Sequence, residues 1–207
     1  MAPDPNTCQV GRVTASDPKS VLHSYLRSAR EAMVWKCSGL SEYDLRRPLT
    51  PTGTNLLGLV KHLASVEVGC FAWAFDRPLG ETFWWLEEDD DAEPNSDMWA
   101  TEDEPSQWIF SVYERTRAHA DATIDDLPLT APGLVPWREP SEVTLHEMLV
   151  HMIVETERHL GQADILRESI DGSVGYYPAN ANLPPMDQDW WTAYRDRLER
   201  VARQVGR

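Results

Sequence analysis

The strongest constraint on this chain is a long amphipathic helix whose apolar face carries groups that bind cations. Thr144-Leu145-His146-Glu147 reads as a capping box, and helical periodicity continues to Ser169 or Ile170 before Asp171-Gly172 ends it. At about 100° per residue, Glu155, His159 and Gln162 fall close together on the side that also carries Met148, Met152 and Leu166. Burying an unpaired carboxylate there costs on the order of several kcal/mol unless a cation or a hydrogen-bond network compensates it. A metal ion is the economical compensation.

The same periodicity places the other elements. A first helix begins at Asp17-Pro18 and runs through Val21, Leu22, Tyr25, Leu26, Ala29 and Met33 to Gly39. A second opens at Thr54 or Asn55 and carries Leu56, Leu59, Val60, Leu63, Val66 and Trp73 to about Phe75. A third follows Asp103-Glu104-Pro105 and reaches Ile124, and a last one spans 187–204. Residues 78–103 read as an irregular connection, and Pro128, Pro132, Pro136 and Pro140 mark a second long crossing loop. The expected fold is all-α: a four-helix bundle with long crossover loops and an accessory C-terminal helix, with no strands needed. The expected organisation is a flexible arm over 1–16 and a single domain over 17–207.

Composition narrows the class of function. The 34 acidic against 19 basic residues give a formal charge of -15, a poor surface for nucleic acid or anionic lipid. Neither a signal peptide nor a run of about 18 apolar residues is evident, so the expected location is the cytoplasm. Cys8, Cys37 and Cys70 are odd in number and far apart, and they read as reduced thiols without chemistry. The acidic run Glu87-Glu88-Asp89-Asp90-Asp91 lacks the alternation and central glycine of a calcium loop and reads as solvated. Nine tryptophans must fill the core or line a cleft, and most read as structural.

Glu155 and His159 offer two metal ligands one turn apart, and His62, set among inward-facing positions of the second helix, is the best third. His151, one turn before Glu155, is an alternative to it as ligand or a neighbour of the ion. His146-Glu147 fails as a zinc-protease motif, because Val150 occupies the position of its second histidine. His23 and His119 have no chelating neighbours and read as surface or boundary residues.

Two segments carry a family resemblance. Asn55-Leu56-Leu57-Gly58-Leu59-Val60-Lys61-His62-Leu63 and His151 through Glu168, with its HxxxExxRHxGQxDxLRE pattern, resemble the DinB/YfiT-like superfamily. They are most similar to its actinobacterial branch of mycothiol-dependent maleylpyruvate isomerase and mycothiol S-transferases. The resemblance spans about residues 18–172. It implies a bundle whose open end holds a divalent metal, zinc before nickel or iron, through His62, Glu155 and His159, with His151 outside the coordination sphere. The short stretch after the last helix leaves no room for the isomerase's further domain, which favours transfer.

The activity so implied is S-transfer, with a mycothiol-type thiol activated as a metal-bound thiolate for attack on an electrophilic small molecule. Gln162 would support a ligand or contact substrate. Arg158 or Arg167 could bind acidic substrate groups, although helical salt bridges to Glu157, Asp164 or Glu168 compete for them. A metal-dependent hydrolase with His151 as base, a thiol-dependent isomerase and a non-catalytic metal- and ligand-binding stress protein are the other readings. The bundle could pair into a homodimer, though no residue pattern requires it.

Overall fold

A computed structural model describes residues 17–86, 93–137 and 139–206. The expected arm over 1–16, Cys8 and the acidic run at 87–91 lie outside the described residues. The chain divides into two compact units, residues 1–174 and 175–207.

The first unit is a four-helix bundle built from α1 (Pro18–Cys37), α3 (Leu56–Glu67), α4 (Ser106–Asp126) and α5 (Leu145–Asp171), with a short α2 (Glu42–Arg46) after α1. Local chemistry sets their ends. Asp17 caps α1 ahead of Pro18, the Asn55 side chain accepts from Gly58 N, and Thr144 and Glu147 form the reciprocal capping box of α5. Gly172 closes α5 with φ +76°, a backbone region where a side chain is disfavoured. The start of α4 has no side-chain cap of its own, and Glu42 of α2 accepts from Ser106 N instead.

Helix α1 packs on α5, and α3 packs on both α4 and α5. Leu26, Ala29 and Met33 of α1, with Leu56, Leu59, Leu63, Ile109, Val112, Leu149 and Met152 of the other helices, are buried in the interior. Leu56–Trp73, within the second helix, is apolar and long enough by composition to cross a membrane, although no run of about 18 apolar residues was expected. It is the central helix of the bundle, with 83% of the window buried.

Several features depart from the sequence reading. The second helix does not stay α-helical to Phe75. From Val68 to Trp73 it widens into a π-helical turn, which takes Trp73 off the inward line and leaves it 50% exposed. The crossing loop after α4 contains an antiparallel ribbon, β1 (Pro132–Leu134) with β2 (Glu142–Thr144), where no strand was expected. Leu134 N donates to Ala74 O, and a Cβ on Gly133 would lie 2.6 Å from that oxygen, so the ribbon seats against the end of the π turn only because position 133 lacks a side chain. Most tryptophans are not in the core. Trp85 is buried, whereas Trp84, Trp99, Trp108 and Trp137 are partly exposed around the crossovers.

Charge also enters the interior. Arg30, 1% exposed, donates from Nε to Glu67 Oε1 at 2.6 Å and from Nη1 to Asp121 Oδ1 at 2.7 Å, joining α1, α3 and α4. His23 is buried against the same Asp121 at 2.7 Å and is no surface residue. Burial alone would raise the Asp121 carboxyl, but His23 and Arg30 outweigh it and hold the group down at about 2. Cys37 and Cys70 are free and buried, and burial pushes the Cys37 thiol up to about 12, so neither offers a thiolate.

The second unit contains α6 (Gln188–Val205), capped by Asp187. None of its residues is buried, and Trp190, Trp191 and Tyr194 contact one another along it.

Removing one partner of the buried Arg30–Glu67 pair strands the other charge. Glu67→Ala is therefore expected to lose about 3–5 kcal/mol of stability in urea unfolding, while Arg30→Met with Glu67→Leu recovers most of that loss.

Candidate metal centre

Helices α3 and α5 bring His62, Glu155 and His159 to one point. His62 Nε2 lies 3.2 Å from Glu155 Oε1, and His159 Nε2 lies 2.9 Å from the same oxygen. One potential ligand atom from each of the three residues falls within 4.8 Å of the others. The imidazole rings stand edge to face, 4.8 Å between centroids. The two segments that supply them are 93 residues apart in sequence and meet because α3 packs on α5.

The opposite edge of each ring is already occupied. His62 Nδ1 meets Asp97 Oδ2 at 2.6 Å, and His159 Nδ1 meets Gln162 Oε1 at 2.8 Å. The His62 bond holds the Asp97 carboxyl below its ordinary range, against the upward push of burial, and Lys61 adds to the effect. An ionised carboxylate only accepts, so Nδ1 of His62 is the donor and its Nε2 is the nitrogen left facing Glu155. Two such nitrogens and a carboxylate oxygen are then three electron-pair donors pointed at one another. Either protons on the imidazoles or a cation must lie between them.

A divalent ion satisfies this arrangement. Ligand atoms about 2.0–2.1 Å from a tetrahedral ion are about 3.3 Å apart, close to the two Nε2–Oε1 separations. Outer hydrogen bonds from each Nδ1 to a carboxylate or amide oxygen are the usual means of orienting a metal-binding histidine. The side chains of His62, Glu155 and His159 keep 20%, 24% and 10% of their exposure, so the cluster is open on one side. The stripe of His62 and Val66 thus borders the mouth of the bundle rather than its sealed interior.

Protonation responds to the same contacts. Burial by itself would lower the His62 pKa, yet the hydrogen bonds and charges of Asp97 and Glu155 outweigh it and raise it above the ordinary 6.5. The Glu155 carboxyl is held below its ordinary range by His62 and His159, against the opposing pull of burial.

The other residues singled out in the sequence are dispersed around this cluster. His151 and Arg158 are exposed on α5, both to the same side of Glu155 around the helix. His151 makes no hydrogen bond to the cluster among the described residues. Gln162 is exposed apart from its contact with His159. Arg167 is committed elsewhere: its guanidinium caps the end of α1 through Lys36 O and Ser38 O at 2.9 and 2.8 Å and pairs with Asp171. Those contacts hold its guanidinium within the fold, with Asp171 as its ion-pair partner. Asp97 went unrecognised in the sequence, because it lies in an aperiodic crossover and reaches His62 only through the fold.

The profile of the family described as Mycothiol-S-transferase matches residues 21–172 of the chain, almost the whole of the four-helix unit. No curated protein matches it.

Two outcomes follow from the geometry. Alanine at His62, Glu155 or His159 is expected to reduce bound metal, measured by elemental analysis after dialysis, to background, whereas His151→Ala retains one equivalent. Metal must also displace protons from His62, so affinity weakens as pH falls. In metal-free protein the raised His62 pKa contributes stability below about pH 6.5 that is lost as pH rises through the folded value. The gain in Tm on adding metal should therefore grow from about pH 6 to about pH 8.

Proposed function

The chain belongs to the Mycothiol-S-transferase family, and from that premise we propose that His62, Glu155 and His159 hold a divalent cation at which a mycothiol-type thiol is prepared for attack on an electrophilic small molecule. The observation that carries this reading is the pair of Nε2 atoms and the carboxylate oxygen turned toward one another on the open side of the bundle. Zinc is the cation the donor set suits best, two imidazoles and a carboxylate with one position left free.

Such a cation supplies Lewis acidity that lowers the pKa of a thiol at the free position. The residues of the chain do the remainder. Asp97 and Gln162 hold the two imidazoles by their Nδ1 edges, so no side-chain rotation is needed when the thiol arrives. Glu155 brings one negative charge to the donor set, which would leave a bound divalent cation with net positive charge. The reaction loses the S–H proton to solvent through the open side, forms one S–C bond, and releases the leaving group with its electron pair. In this reading His151, exposed one turn before Glu155, would relay that proton to solvent, and Arg158, also exposed on α5, would meet an anionic group of the electrophile.

Among the described residues, neither cysteine offers a competing thiolate. Cys37 and Cys70 are buried with raised thiol pKa values, which supports an external thiol as the sulfur donor.

Steady-state assays with mycothiol against a panel of small electrophiles test the proposal. Metal-loaded protein should consume thiol and electrophile in equal amounts. Chelation or His159→Ala should abolish turnover, at least 100-fold in kcat/KM. Hydrolysis of the same compounds without any thiol would instead favour water activation and overturn the transfer reading.

A further inference from the structure

Lys61 is the residue the site leaves unexplained. It precedes His62 on α3, is completely buried, and points about 100° away from it around the helix. Its ammonium donates to both carboxylate oxygens of Glu104 at 3.2 and 3.0 Å and to the carbonyl of Trp99 at 2.9 Å. The Trp84 and Trp85 rings lie over it, with centroids 4.7 and 4.1 Å away. Glu104, also buried, accepts in addition from Trp84 Nε1 and from Thr101 N, each at 2.8 Å.

These contacts converge on the crossover that carries Asp97. The Trp99 carbonyl held by Lys61 is two residues beyond Asp97. The Met98 carbonyl lies 3.3 Å from Asn55 Nδ2, and a Cβ on Gly58 would sit 1.7 Å from that same oxygen. The backbone just after Asp97 is thus pressed onto α3 at a position that admits no side chain and tied there by a buried cation. Arg46 Nη1 adds a bond to Thr101 O at 2.9 Å from the other side.

We propose that Lys61 and Glu104 are positioning residues of the metal centre: their buried pair fixes the register of the Asp97 crossover, and Asp97 in turn fixes which nitrogen of His62 faces Glu155 and His159. A purely stabilising role accounts poorly for the pair, because a buried ion pair is often replaceable by apolar residues without loss. What apolar side chains cannot do is engage one particular carbonyl and one particular N–H of the crossover. Hydrogen bonds at Trp99 and Thr101 give that directional control, and the 2.6 Å bond from Asp97 to His62 is where it is delivered. The proposal rests on the metal reading for its effect on affinity, but its effect on His62 exists in the metal-free protein.

The test compares Lys61→Met with Glu104→Gln in one variant, Glu104→Gln alone, which keeps the side chain's shape but leaves Lys61 without its counter-charge, and Asp97→Ala. Long-range nitrogen–proton NMR of the imidazoles in metal-free protein reads the His62 tautomer, competition with a chromophoric chelator reads zinc affinity, and thermal melting reads stability. Arg30→Met with Glu67→Leu is the control for loss of a buried ion pair away from the site. All three test variants should move His62 from the Nδ1–H form toward Nε2–H and weaken zinc binding about 10- to 100-fold. The control should keep both properties whatever happens to its Tm. Should either of the two Glu104 variants not fold, the other decides the matter. A folded Glu104→Gln or double variant with the parental His62 signature and zinc affinity within about twofold of the parent would overturn the proposal. If the parent itself binds no zinc, the metal reading fails, while the tautomer shift still judges the coupling from Lys61 to His62.

Discussion

Two imidazole nitrogens cannot be held about 3 Å from one carboxylate oxygen in a half-buried site unless something positive lies between them. In this protein the donors are Nε2 of His62, Nε2 of His159 and Oε1 of Glu155, and the rest of the first unit can be read as the means of keeping them there. Helix α5 supplies two of them one turn apart, and α3 supplies the third by packing against α5. Asp97 and Gln162 take the outer edges of the rings, so the lone pairs face inward by default. Closing the charge with protons is possible only while the imidazoles are charged, and with a cation at any pH where they are neutral. Under the proposed reading, protons and a cation compete for the same three groups, so occupancy of the centre would depend on pH.

The bundle tolerates this concentration of polarity because it isolates it. Away from the open end, charge in the interior is paired and multiply bonded, as at Arg30, Glu67 and Asp121 between α1, α3 and α4. A second enclosed pair, Lys61 with Glu104, begins one residue before His62 and ties the long crossover to α3. The crossover is therefore part of the site rather than a mere connection, although its length and irregular composition suggest otherwise. The family match ends at residue 172, where α5 ends, so everything needed for the cluster lies within the shared part of the chain.

How much of this is legible in the sequence depends on whether the signal is periodic. Amphipathic spacing and caps at Asp17, Asn55 and Thr144 suffice to place the four long helices, and the ExxxH spacing on an apolar face points to Glu155 and His159. His62 follows from the same reasoning on α3 together with the family pattern. Asp97 does not, because a residue in an aperiodic loop acquires a partner only through tertiary structure. Lys61 and Arg30 invite a surface reading for the opposite reason: a cation on a helix is solvated unless the fold provides a buried carboxylate, and Glu104 and Glu67 are 43 and 37 residues away in sequence. The π turn at Val68–Trp73 is likewise invisible to a 3.6-residue period, which is why Trp73 sits outside rather than in line with His62. The β ribbon escapes notice because three-residue strands among prolines leave no alternation to read.

X-ray absorption at the zinc edge, on protein carrying one equivalent of zinc with and without mycothiol, addresses the central claim most directly. The account predicts a first shell of nitrogen and oxygen at about 2.0–2.1 Å with imidazole scattering from two histidines, and one new sulfur neighbour near about 2.3 Å once the thiol is added. A shell lacking imidazole, or one that gains no sulfur at saturating thiol, would contradict it.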